Sequence, residues 1–235
     1  MAVSMNKSRK FAALITIAVI LMAFCVPALA QEEDDEEPHG LYVEKPHVIT
    51  VGVLAGANFS QVDGDNYAGY RKVGANLGGI GHIRIYRHVA FSFEMLYSQK
   101  GAKSDIIRFS TLDSTTAALK YGIRLNYVEI PLMLNYFDKR KSHVGVGFSY
   151  SRLLNSSETL VTNPPTALDL NNYPFRKDNY DLIAGADLHL WKGLFFNVRF
   201  QYSLTPIRTY SPPGFSRAQD QYSNLWAVRM MYLFM

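Results

Sequence analysis

The sequence predicts an all-β protein, an eight-stranded antiparallel up-and-down barrel that crosses a membrane. Three observations predict it. Eight segments alternate with a period of two, and in each one parity is almost wholly apolar while the other carries the polar residues. The connections between them alternate between short and long, as in outer-membrane barrels with short periplasmic turns and longer extracellular loops. The aromatic residues collect beside the connections, where the two interfacial girdles of such a barrel lie.

The first segment, Val48–Phe59, sets Ile49, Val51, Val53, Ala55, Ala57 and Phe59 against Thr50, Gly52, Gly56 and Asn58, with Leu54 as the exception. The second, Lys72–Tyr86, turns Val73, Ala75, Leu77, Ile83 and Ile85 outward against Asn76, His82 and Arg84. Its Gly78, Gly79 and Gly81 suggest a bend or bulge. In the third, Val89–Gly101, the apolar set Val89, Phe91, Phe93, Met95 and Tyr97 opposes Ser92, Glu94, Ser98 and Lys100. The fourth is Tyr121–Phe137. The fifth, His143–Leu154, places Val144, Val146, Phe148 and Tyr150 against glycines and serines. The sixth, Asn179–Leu190, has Asp181, Asp187 and His189 on its polar parity. The seventh, Leu194–Thr205, has Asn197, Arg199, Gln201 and Ser203 there. The last, Tyr222–Met235, points Trp226, Val228, Met230, Tyr232 and Phe234 outward and Arg229 inward.

Within the fourth segment, Asn126–Phe137 is the clearest strand of the chain. Val128, Ile130, Leu132, Leu134 and Tyr136 share one face, and Glu129 lies on the other near mid-strand. In a soluble sandwich the polar face would be the wet one; in a membrane barrel the apolar face meets lipid and Glu129 meets the lumen. Pro131 sits on the inward parity of a strand without a free edge, so a bulge or a missing ladder bond is expected beside it.

Ser60–Arg71, Ala102–Lys120, Asn155–Asp178 and Pro206–Gln221 are the long connections; Arg87-His88, Asp138–Ser142 and Trp191–Gly193 are the short ones. An even strand number then leaves both chain ends in the periplasm. Tyr86, Phe137, Trp191, Tyr232 and Phe234 form the expected girdle at the short-turn end. Tyr97, Tyr121, Tyr150, Tyr180, Tyr202 and Tyr222 form the expected girdle beside the long loops.

The N-terminus indicates export. Lys7, Arg9 and Lys10 precede the apolar run Phe11–Val26, and Ala28-Leu29-Ala30 matches a signal-peptidase site, so residues 1–30 read as a cleaved signal peptide. The only cysteine, Cys25, lies inside it, which leaves the mature chain without disulfide or thiolate chemistry. Removing the three basic residues of the signal from 24 leaves 21 Lys+Arg against 20 Asp+Glu, so the formal charge of +4 offers no basis for nucleic-acid binding. Residues 31–47, with six acids at Glu32–Glu37 and then Pro38, read as a disordered periplasmic leader. Residues 48–235 are the barrel.

Eight strands enclose a lumen that side chains fill. The expected lumen charge network is Arg84, Arg199 and Arg229 against Glu94, Glu129 and Asp187, with His82 and His189 nearby. Two readings are a plug of paired charges and a gated polar pore or proton path. The plug is preferred, because unpaired buried charge is costly. No H-E-x-x-H, nucleophile elbow or dinucleotide loop occurs, and His82, His88, His143 and His189 all lie away from the long loops. No catalytic residue, metal site or cofactor is expected. The loops carry Asp63, Asp65, Arg71, Lys103, Asp105, Arg108, Arg176, Lys177, Arg208 and Arg217, and Pro164-Pro165 and Pro212-Pro213 stiffen two of them.

G-V-L-A-G-A-N-F-S (Gly52–Ser60), F-S-F-E-M-L-Y-S-Q-K-G-A (Phe91–Ala102) and N-Y-V-E-I-P-L-M-L-N-Y (Asn126–Tyr136) resemble segments of the PorT-like outer-membrane β-barrel proteins common in Bacteroidota. The resemblance runs from about Val48 to the end and carries no catalytic residues with it. One departure is at the C-terminus, where Met235 follows Phe234 in place of a terminal aromatic. The family implies a Gram-negative outer membrane, with lipid, lipopolysaccharide and the barrel-insertion machinery as partners. The expected role is non-enzymatic, structural or interactive at the cell surface. The alternatives are an accessory component of a type IX-like protein secretion system, with secretion proteins as partners, and a lipid-A-modifying enzyme.

Overall fold

The computed structural model describes residues 49–64, 69–104, 107–110, 116–165, 172–209 and 220–234. The expected signal peptide 1–30, the leader 31–47 and the loop residues Asp65, Asp105 and Arg217 lie outside the described residues, as does the side chain of Arg108.

Among the described residues there are nine strands, β1 (Ile49–Asp63), β2 (Lys72–Tyr86), β3 (Val89–Ser104), β4 (Arg108–Phe109), β5 (Ala117–Phe137), β6 (His143–Asn163), β7 (Asp178–Trp191), β8 (Leu194–Ser203) and β9 (Tyr222–Phe234). Eight of them form a closed antiparallel ring in which each long strand pairs with the next, and β9 pairs back onto β1. β4 is a two-residue addition that pairs with Ala117 and Ala118 of β5. Closure gives the backbone donors and acceptors of each ring strand a partner on both sides, which is the condition for placing strands in lipid.

The alternation read from the sequence maps onto the two faces of this wall. Met95 and Phe148 are 66% and 63% exposed, and Val51, Val53, Leu132, Leu134, Val144 and Val146 stand out beside them. Their neighbours on the other parity, including Asn58, Ser92, Glu94, Glu129, Ser151 and Asn197, are buried. An apolar outside around a polar inside is the arrangement of a barrel in lipid. Leu54 is buried inside the ring with Ile80, Leu96, Phe195, Met231 and Leu233, which explains the one residue that broke the pattern of β1.

Four strands run further than their alternation suggests, β3 among them, which continues to Ser104. β1 continues to Asp63, β5 begins at Ala117, and β6 continues to Asn163, so Asn155–Asn163 is strand where a loop was expected. The β6–β7 pairing stops at Arg152↔Asp178, whereas β5 and β6 remain paired to Ala117↔Asn163. The outer halves of β5 and β6 thus form a ribbon that runs past β7 at the long-loop end, with β3 as far as Ser104↔Tyr121 and then β4 paired along the other edge of β5. Ten residues of strand reach about 30 Å. Along β6 Asn155, Ser157, Thr159, Val161 and Asn163 are exposed and Glu158, Leu160 and Thr162 half-buried, but both parities carry polar residues, so no apolar face develops for periodicity to report.

Pro131 interrupts one ladder only. The β3–β5 register passes Phe93↔Leu132 and resumes at Leu96↔Glu129, skipping the partners of Glu94 and Met95, while β5–β6 pairing continues through Pro131↔Ser149. The missing N–H costs ladder bonds toward β3 without shifting the register, so no bulge forms there.

Gly101 of β3 has a φ of +141°, and a Cβ there would lie 2.1 Å from the carbonyl oxygen of Ile123 on β5. Gly101→Ala is therefore expected to lower the urea midpoint of the refolded protein in lipid vesicles, at a cost of about 2 kcal/mol or more. An unchanged midpoint would show that the wall yields at this point.

Candidate functional site

The lumen is occupied by side chains. At the short-turn end, His82, Phe137, His143 and Phe195 pack ring against ring: Phe137 lies 4.2 Å from His143 in a stacked pair, and His82 meets His143 edge-on at 5.5 Å. His143 Nε2 is 3.3 Å from Asp187 Oδ2. Next to these rings, and sharing Phe195 with them, is the apolar cluster of Leu54, Ile80, Leu96, Phe195, Met231 and Leu233.

Two charge clusters are buried in the same lumen. The Arg199 guanidinium donates in a fork to both oxygens of Glu94, and Arg229 Nη1 donates to Glu94 Oε2 at 3.0 Å. Arg229 Nε donates to Asn197 Oδ1 at 2.7 Å, and Asn197 Nδ2 donates to Asp187 Oδ1 at 2.8 Å, so this cluster continues down to the histidine layer. In the second cluster Lys100 Nζ bridges Glu129 Oε1 at 2.5 Å and Asp181 Oδ2 at 2.9 Å, with the ammonium 5.3 Å from the centre of the Tyr127 ring. Gln201 Nε2 and Ser151 Oγ also donate to Asp181 Oδ2, and Asn179 Nδ2 donates to Asp181 Oδ1. All seven charged side chains of the two clusters are buried.

The long-loop end is stoppered. Val62, Ala102, Tyr121, Ile123, Leu125, Tyr127 and Ile207 form a second apolar cluster inside the wall. Ile207 enters it from the β8–β9 connection, held by backbone bonds from Arg176 N to its carbonyl and from its own N–H to Gln221 O. Next to it Arg208, itself buried, donates to Glu158 Oε2 at 2.9 Å and lies 3.9 Å from the centre of the Phe175 ring. Tyr121 Oη donates to the other oxygen of Glu158.

Of the six charges expected in the lumen, Glu94, Arg199 and Arg229 meet one another, Asp187 joins them through Asn197, and Glu129 pairs elsewhere, with Lys100. Arg84 requires a correction. It is exposed at the turn end of β2, where a register irregularity lies between it and Tyr86 and solvent relieves the charge of any need for a partner. Its place as third cation belongs to Lys100, and Asp181 supplies a fourth carboxylate. Both lie on the inward parity of their strands. Their height in the lumen was hidden because β3, β5 and β6 extend so far past the other strands. His82 touches the rings rather than the charges, and His189 bonds the Lys192 carbonyl at the turn.

The girdle requires a similar correction. Tyr86, Trp191, Tyr232 and Phe234 are exposed at the short-turn end, but Phe137 turns inward to cap the lumen, since it continues the parity of Met133 and Asn135. At the other end Tyr150 and Tyr180 face outward with rings 5.5 Å apart, whereas Tyr121 is buried.

A closed ring that is apolar outside and ion-paired inside defines an integral membrane β-barrel. The family described as outer membrane protein beta-barrel domain matches residues 30–208, and the chain belongs to that family, whose members reside in the outer membrane. No curated protein matches the sequence. Among solved structures, the attachment invasion locus protein Ail of Yersinia pestis is similar over 79% of this chain and 98% of its own, at 11% identity and a TM-score of 0.42. The outer membrane protein AlkL is similar over 84% of this chain and 97% of its own, at 16% identity and a TM-score of 0.40. The N-terminal barrel domain of Pseudomonas aeruginosa OprF is similar over 78% and 97%, at 8% identity and a TM-score of 0.30.

Removing one partner from a buried ion pair costs about 3–5 kcal/mol, because the other charge is left uncompensated. Lys100→Met strands both Glu129 and Asp181, and is expected to lower the urea midpoint in vesicles by a loss of that size. Arg152→Ala, which breaks an exposed pair with Asp178, is expected to leave the midpoint within error. Equal midpoints for the two variants would show that the Lys100 cluster is not a structural tie.

Proposed function

We propose that this protein is a non-enzymatic outer-membrane barrel that works by presenting its long-loop end to partners, and not by passing solute through its lumen. The observation that carries the reading is the filling of the lumen by stacked rings, an apolar cluster, two charge clusters, and a second apolar cluster that Ile207 joins. A polar pore needs a continuous wet path, and this lumen is filled by side chains that are buried and bonded to one another. In planar bilayers the purified protein is expected to give no sustained conductance steps. Large, stable steps would overturn the closed-lumen reading.

The β5–β6 ribbon is the part best placed for contact. Over residues 154–161 the outer edge of β6 pairs with no strand among the described residues, and such an edge accepts an added strand from another chain. The resemblance of Gly52–Ser60, Phe91–Ala102 and Asn126–Tyr136 to PorT-like proteins favours a secretion-system protein as that partner.

In this reading the long-loop end faces the outside and both termini face the periplasm. The only cysteine of the chain is Cys25, in the expected signal peptide, so single cysteines report orientation cleanly. Ser156→Cys on the ribbon is expected to react with a membrane-impermeant maleimide on intact cells, and Arg140→Cys on the β5–β6 turn only after the outer membrane is opened. The opposite pattern would reverse the orientation.

A further inference from the structure

The short-turn end is strongly basic. Among the described residues its turns and their flanks carry Arg84, Arg87, Lys139, Arg140, Lys141 and Lys192, all of them exposed, against the exposed Asp138 and the buried Asp187. Among the described residues none of these six cations forms an ion pair with a carboxylate. The lumen needs none of them, since Lys100, Arg199 and Arg229 already face the buried carboxylates.

A groove of about 480 Å³ opens on the outer wall directly beside this charge. Its floor is the register row Tyr136↔Val144↔Ala186↔Val198, which dips at Ala186; Leu188 and Phe196 rise along its side. Asp138, Ser142, His143 and Asp187 lie at its polar end. The β5–β6 turn, with Lys139, Arg140 and Lys141, borders the mouth on one side. Beyond the groove's Leu188 and Phe196 side lies the β7–β8 turn, where Lys192 Nζ stands 4.6 Å from the centre of the exposed Trp191 ring. The two sides are tied together, since the His189 N–H donates to Ser142 Oγ at 3.1 Å. Lys141 holds a left-handed φ of 67°, and its N–H donates to Asp138 O at 2.9 Å, which fixes the turn that presents the three cations.

We propose that this place binds one anionic glycerophospholipid, its acyl chain along the groove and its phosphate between Lys139–Lys141 and Lys192. The apolar floor lies among lipid-facing residues and suits a hydrocarbon chain. The mouth lies where a headgroup would be, flanked by an interfacial tryptophan, a tyrosine and basic residues, which recognise anionic lipid at a membrane surface. The choice of glycerophospholipid over lipopolysaccharide rests on the orientation proposed above, which puts the short-turn end in the inner leaflet. Retention can be measured in discs with identical leaflets, so a failure of the orientation and a failure of the site are separable.

The test is lipid retention by the refolded protein, released from nanodiscs of equimolar phosphatidylglycerol and phosphatidylcholine of equal chain length and read by native mass spectrometry. The expected result is retention of one phosphatidylglycerol with about tenfold preference over phosphatidylcholine. The variant carrying Lys139→Gln, Arg140→Gln and Lys141→Asn is expected to lose most of that preference; asparagine tolerates the left-handed φ at 141. Ala186→Phe, which fills the groove and leaves every charge in place, is expected to retain less of either lipid. Unaltered heat-dependent mobility on gels confirms folding of both variants, and Arg71→Gln near the long loops serves as a charge-removal control that folds independently of this end. No preference in the parent protein, or preference undiminished in the triple variant, overturns the site. Preferential retention of lipid A from discs containing both overturns the choice of lipid.

Discussion

A barrel of eight strands leaves an interior too narrow to be a water-filled channel yet too wide to be left empty. The rest of this structure depends on how that interior is satisfied. Glu94 takes two arginines, and Lys100 takes two carboxylates, each assembled from strands far apart in sequence. The Glu94–Arg199, Glu94–Arg229 and Lys100–Asp181 ties join strands that are not neighbours in the ring, and Lys100–Glu129 reinforces the adjacent pair β3 and β5. A buried ion pair is weak evidence for net stability, since desolvation offsets much of the attraction. Its effect here is on specificity: a register slip of one residue would turn these charges into lipid and bring their apolar neighbours inside.

The same constraint accounts for the irregularities. Pro131 sits opposite Glu94, and the ladder between them is open. A wall that lacks a bond at that level is tied by the Glu94–Arg199 and Glu94–Arg229 contacts across it. Gly101 occurs where β3 approaches the Ile123 carbonyl too closely for any side chain, one residue beyond Lys100. The two clusters of paired charge thus lie beside the points where the wall is least regular, and apolar clusters close them off at both ends.

The fold was legible in the sequence because each ring strand has two faces in opposite environments. β2, whose bounds Lys72 and Tyr86 match the alternation, shows how well that signal works where lipid and lumen are both present. The ribbon was not legible, since Asn155–Asn163 has solvent near both faces and polar residues on both parities. The lumen network was legible in residue type and parity but not in height. Arg84 and Lys100 both point inward by count, and only the stagger of the strands brings one to solvent and the other to Glu129 and Asp181. Phe137 shows the same limit: its position beside a turn suggested the girdle, while its parity with Met133 sends it into the lumen mouth.

With its core charges mutually satisfied and its lumen filled, the barrel has little inside that is free to engage another molecule. What remains available is at the rims, and the two rims differ in kind. One extends a ribbon whose β6 edge, over residues 154–161, pairs with no strand among the described residues, so that its recognition currency is backbone hydrogen bonds. The other gathers six cations around an apolar groove and three tight turns, whose recognition currency is charge and hydrocarbon. A ring with equivalent rims would gain nothing from holding one orientation. In this one, interactions at the short-turn end that favour a lipid surface would anchor the barrel and keep the ribbon at a fixed height on the opposite side. The paired charges inside make that division possible, because they leave the cations at the rim without competing partners in the core.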